Sequence, residues 1–108
     1  MPENLTMAQI MHNMPKVFKA DRAAGVDADI QFRFTGEEPG NYVLSVRDGQ
    51  ASIAEGEIPN AAATIDAPSE VWKGVALGQT NAMTAFMTGK FKATGDMGLL
   101  MRLPTMFG

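Results

Sequence analysis

The chain predicts an α+β fold in which helices are gathered on one face of a sheet. Three observations carry that expectation. From Val26 onward the apolar residues recur with period two through several successive segments. The early strands carry Asp, Arg, Gln and Ser on their other side, so only one face needs cover. Helical spacing is confined to the N-terminal segment and the last third of the 108 residues.

Each element has its own local reason. Thr6 begins a helical pattern, with Met7, Ile10, Met11 and Met14 on one side. Pro15 interrupts it, because its ring clashes with the preceding turn and it has no N–H. Pro favours a first helical position, so a second short helix is expected from Pro15 to Arg22, burying Val17 and Phe18. Val26, Ala28, Ile30, Phe32 and Phe34 then face one way, and Asp27, Asp29, Gln31, Arg33 and Thr35 the other. Tyr42, Leu44 and Val46 continue the alternation as a second strand. Asp48-Gly49 is a hairpin signal, since both residues tolerate positive φ. Ala51 to Glu55 make a third strand and Ala62 to Asp66 a fourth. Pro68 opens a helix with Val71, Trp72, Val75 and Ala76 on one side, and Gly78 ends it. Asn81 caps the next, with Met83, Phe86 and Met87 on its inner side. Gly89 closes that helix in the left-handed region. Lys90 to Thr94 alternate as a fifth strand. Gly95 and Asp96 turn the chain, and Asp96 caps a closing helix that holds one charge between Met97 and Leu103.

Composition excludes several classes. A chain of this length holds one core, read as a single domain over residues 1–108. The net charge of −3 and scattered Lys and Arg argue against nucleic acid. With no cysteine there is no disulfide framework, thiol nucleophile or Cys-based zinc site. The N-terminus lacks the leading basic cluster and apolar run of a signal peptide, and Met106, Phe107 and Gly108 form no peroxisomal address. The protein is read as cytoplasmic. His12 is the single histidine and has no metal-ligating companion, so no metal and no cofactor is expected. Asp27 and Asp29 share a strand face, as do Glu55 and Glu57, but there solvent keeps paired acids ionised. No nucleophile–base pair or phosphate-cradling glycine spacing occurs, and no catalytic residue is nominated.

Nine methionines are present, and none lies between Pro15 and Ala82. The stiff Val, Ile and Phe strands are therefore flanked by flexible methionine-bearing helices. Methionine fills irregular core gaps, which accounts for the pattern as packing. It also suits a layer that repacks around a variable apolar guest. A pocket for an acyl chain is of order 300–500 Å³. Rigid and empty, it would cost roughly 7–12 kcal/mol at ~24 cal/mol per Å³, against a whole-domain stability of ~5–15 kcal/mol. A soft helical layer that collapses when empty removes that conflict. The closing helix carries apolar residues on several sides, more than one buried stripe requires.

The run FMTGKFKATGDMGLLMRL, Phe86 to Leu103, resembles the type-two sterol carrier protein family, with its Gly-Lys helix end, short strand, Gly-Asp-Met-Gly turn and apolar helix. GVDADIQFRFTG, NYVLSVRDGQASIAEG and TIDAPSEVWKGVALGQTNAMTAF agree with that family in order and spacing. The resemblance implies a five-stranded mixed, mostly antiparallel sheet with helices on one face and a lipid tunnel between them. It implies non-catalytic binding of fatty acid, fatty acyl-CoA, sterol or other apolar ligands. Mapped onto this chain, the tunnel candidates are Phe32, Phe34, Trp72, Val75, Met83, Phe86, Met87, Phe91, Leu100, Met101 and Leu103. The chain is read as a free-standing member, with the closing helix as a lid. Its expected partners are a small apolar ligand, a transiently touched membrane surface and a partner enzyme. Two other readings stand beside the carrier: an interaction module docking through its apolar C-terminus, and an accessory presenting an acyl or prenyl substrate to a separate catalyst.

Overall fold

The computed structural model describes residues 6–107. The two targeting readings rest partly on residues 1–5 and Gly108, which lie outside the described residues.

Five strands form one sheet in the order β3-β2-β1-β4-β5. They are β1 (Ala28–Thr35), β2 (Gly40–Arg47), β3 (Gln50–Glu55), β4 (Ala63–Pro68) and β5 (Lys92–Gly95). β1 and β4 run parallel and every other pair is antiparallel, which makes the sheet mixed and mostly antiparallel. The alternation in β1 does what its period implies. Ile30, Phe32 and Phe34 are buried on the covered face, and Phe32 stands opposite both Tyr42 and Ile65. Asp48 and Gly49 take φ of 53° and 74°, closing the β2–β3 hairpin as their types allow. Gly95 at φ 101° ends β5 where a Cβ would run into the Ala62 carbonyl oxygen.

Four helices cover one face: α1 (Met7–Asn13), α2 (Ser69–Ala76), α3 (Ala82–Met87) and α4 (Met97–Phe107). A capping box of Thr6 and Gln9 starts α1. The Asn81 carboxamide oxygen accepts from the Thr84 N–H, and Asp96 accepts from the Leu99 N–H at 3.0 Å. The core joins Met7, Ile10 and Met11 of α1 and Leu99, Leu103 and Met106 of α4 to the sheet. Among the described residues no helix is long and apolar enough to cross a membrane.

Several local expectations change. The helix expected from Pro15 to Arg22 is instead two 3₁₀ turns, Met14–Val17 and Ala20–Arg22. Phe18 between them is extended, and the Lys19 N–H donates to the Met106 carbonyl rather than to its own helix. Val17, expected inside, is 54 % exposed. β1 starts at Ala28 because the Val26 N–H is spent on a turn to Ala23. β4 runs through Pro68, which pairs with Thr35 and serves as the N-cap of α2 instead of its first residue. Met83 and Met87 lie outward on α3, where Ala85 takes the inner position. Gln31, on the polar side of β1, is fully buried. Its amide nitrogen donates to the Tyr42 and Gly56 carbonyls and its oxygen accepts from the Ile58 N–H, so the loop between β3 and β4 folds over it.

Candidate functional site

The helical layer does not close over itself. An open groove of about 610 Å³ runs between two walls, a volume in the range of small-molecule sites. One wall is Ile10, Asn13, Met14 and Val17 of α1 and the following 3₁₀ turn, with Leu103 and Phe107 of α4. The other is Trp72, Val75 and Ala76 of α2, the Leu77–Thr80 turn and Ala82 of α3. No strand residue lines it. The space above the sheet is filled by aromatic rings: Trp72 lies 5.4 Å from Phe32, 6.4 Å from Phe34 and 5.7 Å from Phe91, and Phe86 lies 5.7 Å from Phe91. Trp72 is thus both a floor for the groove and a lid on the sheet.

The first wall joins distant parts of the chain. The Lys19 N–H reaches the Met106 carbonyl at 2.7 Å, and the Arg102 guanidinium donates to the carbonyls of Arg22 and Ala24 at 3.0 and 3.2 Å. Phe18 and Phe107 stack at 5.3 Å. Residues 18–24 and α4 therefore form one block.

A polar hub holds α1 to α2. Glu38, in the β1–β2 turn, accepts from the Met7 N–H at 3.0 Å and pairs with Lys73, while its own N–H donates to the Ser69 hydroxyl. The Lys73 ammonium, followed by the Met7 N–H, holds the Glu38 carboxyl below the ordinary carboxylate range against the opposing effect of burial. Glu38, Ser69 and Lys73 line a separate, polar cavity of about 170 Å³ with Glu37, Glu70 and Gln79. On the open face of the sheet Arg47 bridges Asp27 and Asp29, so the paired acids are bound up in a surface ion pair. His12 lies 3.5 Å from Glu55 and edge-on to Tyr42, whose hydroxyl burial pushes toward higher pKa. Among the described residues no group of three or more His, Asp or Glu could hold a metal.

Of the eleven residues nominated from sequence, the structure brings Trp72, Val75 and Leu103 onto the groove. Phe32, Phe34 and Phe91 are buried beneath Trp72, and Phe86 and Leu100 pack half-buried against the core. Met83, Met87 and Met101 stand at the surface, 46, 77 and 62 % exposed. The α1 wall was missed, although Ile10, Met14 and Val17 recur at spacings of four and three, a stripe that marks one helical face. The Leu77–Thr80 turn left no such signal.

Chemically the groove offers apolar burial and two polar side chains, Asn13 and Thr80. It contains no nucleophile paired with a base. The chain matches the model described as the SCP-2 sterol transfer family over residues 9–108. It is similar to hydroxysteroid dehydrogenase-like protein 2 of Xenopus tropicalis, 27 % identical over 135 residues covering 99 % of this chain and 32 % of that protein. In fold it is similar to the stereoselective inverting sec-alkylsulfatase Pisa1 from Pseudomonas sp., with TM-score 0.81 and 23 % identity over 100 % of this chain and 17 % of that one. It is also similar to palmitated SCP2L2 from Aedes aegypti, with TM-score 0.74 and 16 % identity over 92 % of this chain and 91 % of that one. The chain thus spans about a third of the dehydrogenase-like relative and about a sixth of the sulfatase. With family match and fold in agreement, the chain belongs to the SCP-2 sterol transfer family, a non-catalytic lipid-binding and lipid-transfer family.

Proposed function

We propose that this domain carries a lipid in the groove between the α1–α4 wall and the α2–α3 wall, and delivers it without chemistry. The observation that supports this most is the lining itself, an apolar surface of carrier size with no charged side chain. Burial of apolar area supplies the affinity, at ~25 cal/mol per Å² removed from water. Fatty acid, fatty acyl-CoA and sterol-like molecules fall within the reading. Trp72, Val75 and Leu103 touch the ligand directly. Turning Trp72 aside gives it access to Phe32, Phe34 and Phe91, and the block of α4 with residues 18–24 is the wall that moves. Native mass spectrometry of protein purified from cells, with lipid extraction, should find a bound lipid. Protein free of lipid and unable to take up a fluorescent fatty acid at micromolar concentration would defeat the proposal.

A second reading is favoured by coverage: the dehydrogenase-like and sulfatase relatives contain this domain within much longer chains. In it, the domain presents an acyl or prenyl substrate to a catalyst. Met97→Gln with Met101→Gln, at exposed positions of α4 outside the groove lining, separates carriage from docking. Docking through the apolar C-terminus predicts lost association with lipid uptake intact; carriage alone predicts that both are unchanged.

A further inference from the structure

The described methionines fall into three environments. Met7, Met11 and Met106 are sealed in the core, and Met83, Met87, Met97 and Met101 stand at the outer surface. Met14 alone among them lines the groove, half-buried next to Asn13. With no cysteine in the chain, the thioethers are its readiest two-electron reductants. The core sulfurs are shielded from oxidants, and the surface sulfurs meet whatever is dissolved in water. Met14 meets what the groove holds.

An unsaturated lipid that has reacted with molecular oxygen carries a hydroperoxide part-way along its chain. Buried in an apolar groove, that group needs a hydrogen-bond partner. The polar side chains of the lining are Asn13 and Thr80. The Asn13 carboxamide both donates and accepts, and it is the chain neighbour of Met14 on the same wall. Pairing with Asn13 therefore brings the O–O bond to the wall that carries the thioether. Occupancy does the rest: one molecule confined to about 610 Å³ is at a concentration on the order of 1 M, against micromolar in solution.

We propose, resting on the lipid-carrier reading, that Met14 is an oxidation site that reduces lipid hydroperoxides held in the groove. The sulfur attacks the terminal peroxide oxygen, and an S–O bond forms as the O–O bond breaks. The hydroperoxide hydrogen passes to the departing alkoxide oxygen. The lipid leaves as an alcohol, reduced by two electrons, and Met14 becomes the sulfoxide, oxidised by two. Each chain reacts once, until the sulfoxide is reduced back to the thioether.

The test treats the full chain with linoleic acid hydroperoxide in the presence of a metal chelator, and in parallel with hydrogen peroxide. Peptide mass spectrometry then maps the sulfoxides. The lipid hydroperoxide should oxidise Met14 about tenfold faster than Met87, with one hydroxy acid formed per Met14 sulfoxide. Hydrogen peroxide gains nothing from the groove and should oxidise exposed Met87 first. Excess linoleic acid should occupy the groove and suppress the Met14 reaction with the lipid hydroperoxide. Met14→Leu should abolish the early formation of hydroxy acid, and Met87→Leu should leave it unchanged. If a protein that takes up a fluorescent fatty acid shows Met14 oxidised no faster than Met87 by the lipid hydroperoxide, the proposal falls and carriage stands. Met14 oxidation that linoleic acid does not slow also overturns it, because the sulfur then reacts without an occupied groove. A protein that takes up no fatty acid loses carriage first and this site with it.

Discussion

The sheet half and the helical half of this domain are held together in different ways. In the sheet, β1 is paired along its length with β2 and β4, and its inward residues are locked between neighbours on both sides. Among the described residues no helix exceeds 11 residues, and α1 and α3 have 7 and 6. Isolated helices so short are marginal in water. Their positions depend on a few long-range polar ties: Glu38 to Met7 and Lys73, Arg102 to residues 22 and 24, Lys19 to Met106. The difference teaches how a small domain can keep a groove. Rigidity is placed where pairing is dense, and adaptability is left in a layer that a handful of contacts can reposition.

The largest expected effect comes from breaking the stiff half. Phe32→Ala empties a fully buried site beneath Trp72 and should cost ~3–5 kcal/mol in urea unfolding. Gln31→Leu tests whether the sheet also depends on a buried polar pin. It strands the Ile58 N–H and the Tyr42 and Gly56 carbonyls, a loss of ~1–3 kcal/mol by the same measurement. In the soft half, Glu38→Gln tests the hub through pH. The folded carboxyl lies below its unfolded value, so its stabilisation is present above the unfolded pKa and is lost as pH falls through the folded one. The variant should therefore show a shallower fall of melting temperature in the acid range, with wild-type behaviour in the sheet. The smallest effect belongs to Met83→Gln and Met87→Gln, exposed positions on α3, which should each stay within ~0.5 kcal/mol. A larger loss at either would mean that the outer surface of α3 is covered after all.

What could be read from the sequence follows the same division. Period two over residues 26–35, the Asp48-Gly49 turn and the caps at Asn81 and Asp96 are local signals, and local geometry suffices to express them. Gln31 could not be read this way. A polar residue on the polar side of an alternating strand looks solvated, and its burial arises only when the β3–β4 loop crosses it. Pro15 signalled a helix start, but the Lys19 N–H was captured by the Met106 carbonyl of α4, almost ninety residues later. The groove was legible in kind, through methionine placement and the apolar closing helix, and less so in address. Which helix ends meet is a tertiary fact, and the aromatic stack under Trp72 separates the groove from the strand residues that the family resemblance nominated.

The tie between residues 18–24 and α4 also orders assembly during synthesis. A chain emerging N-terminus first can pair β1, β2, β3 and β4 while its last forty residues are still unmade. The 3₁₀ segment must wait. Its partners, Arg102 and Met106, are among the final residues translated. Until they emerge, the part of the groove wall that Leu103 and Phe107 supply is missing, and the core face covered by Leu99, Leu103 and Met106 lies open. Ribosome-held chains ended near Gly95 should accordingly expose that face to a chaperone, and chains extended past Phe107 should withdraw it.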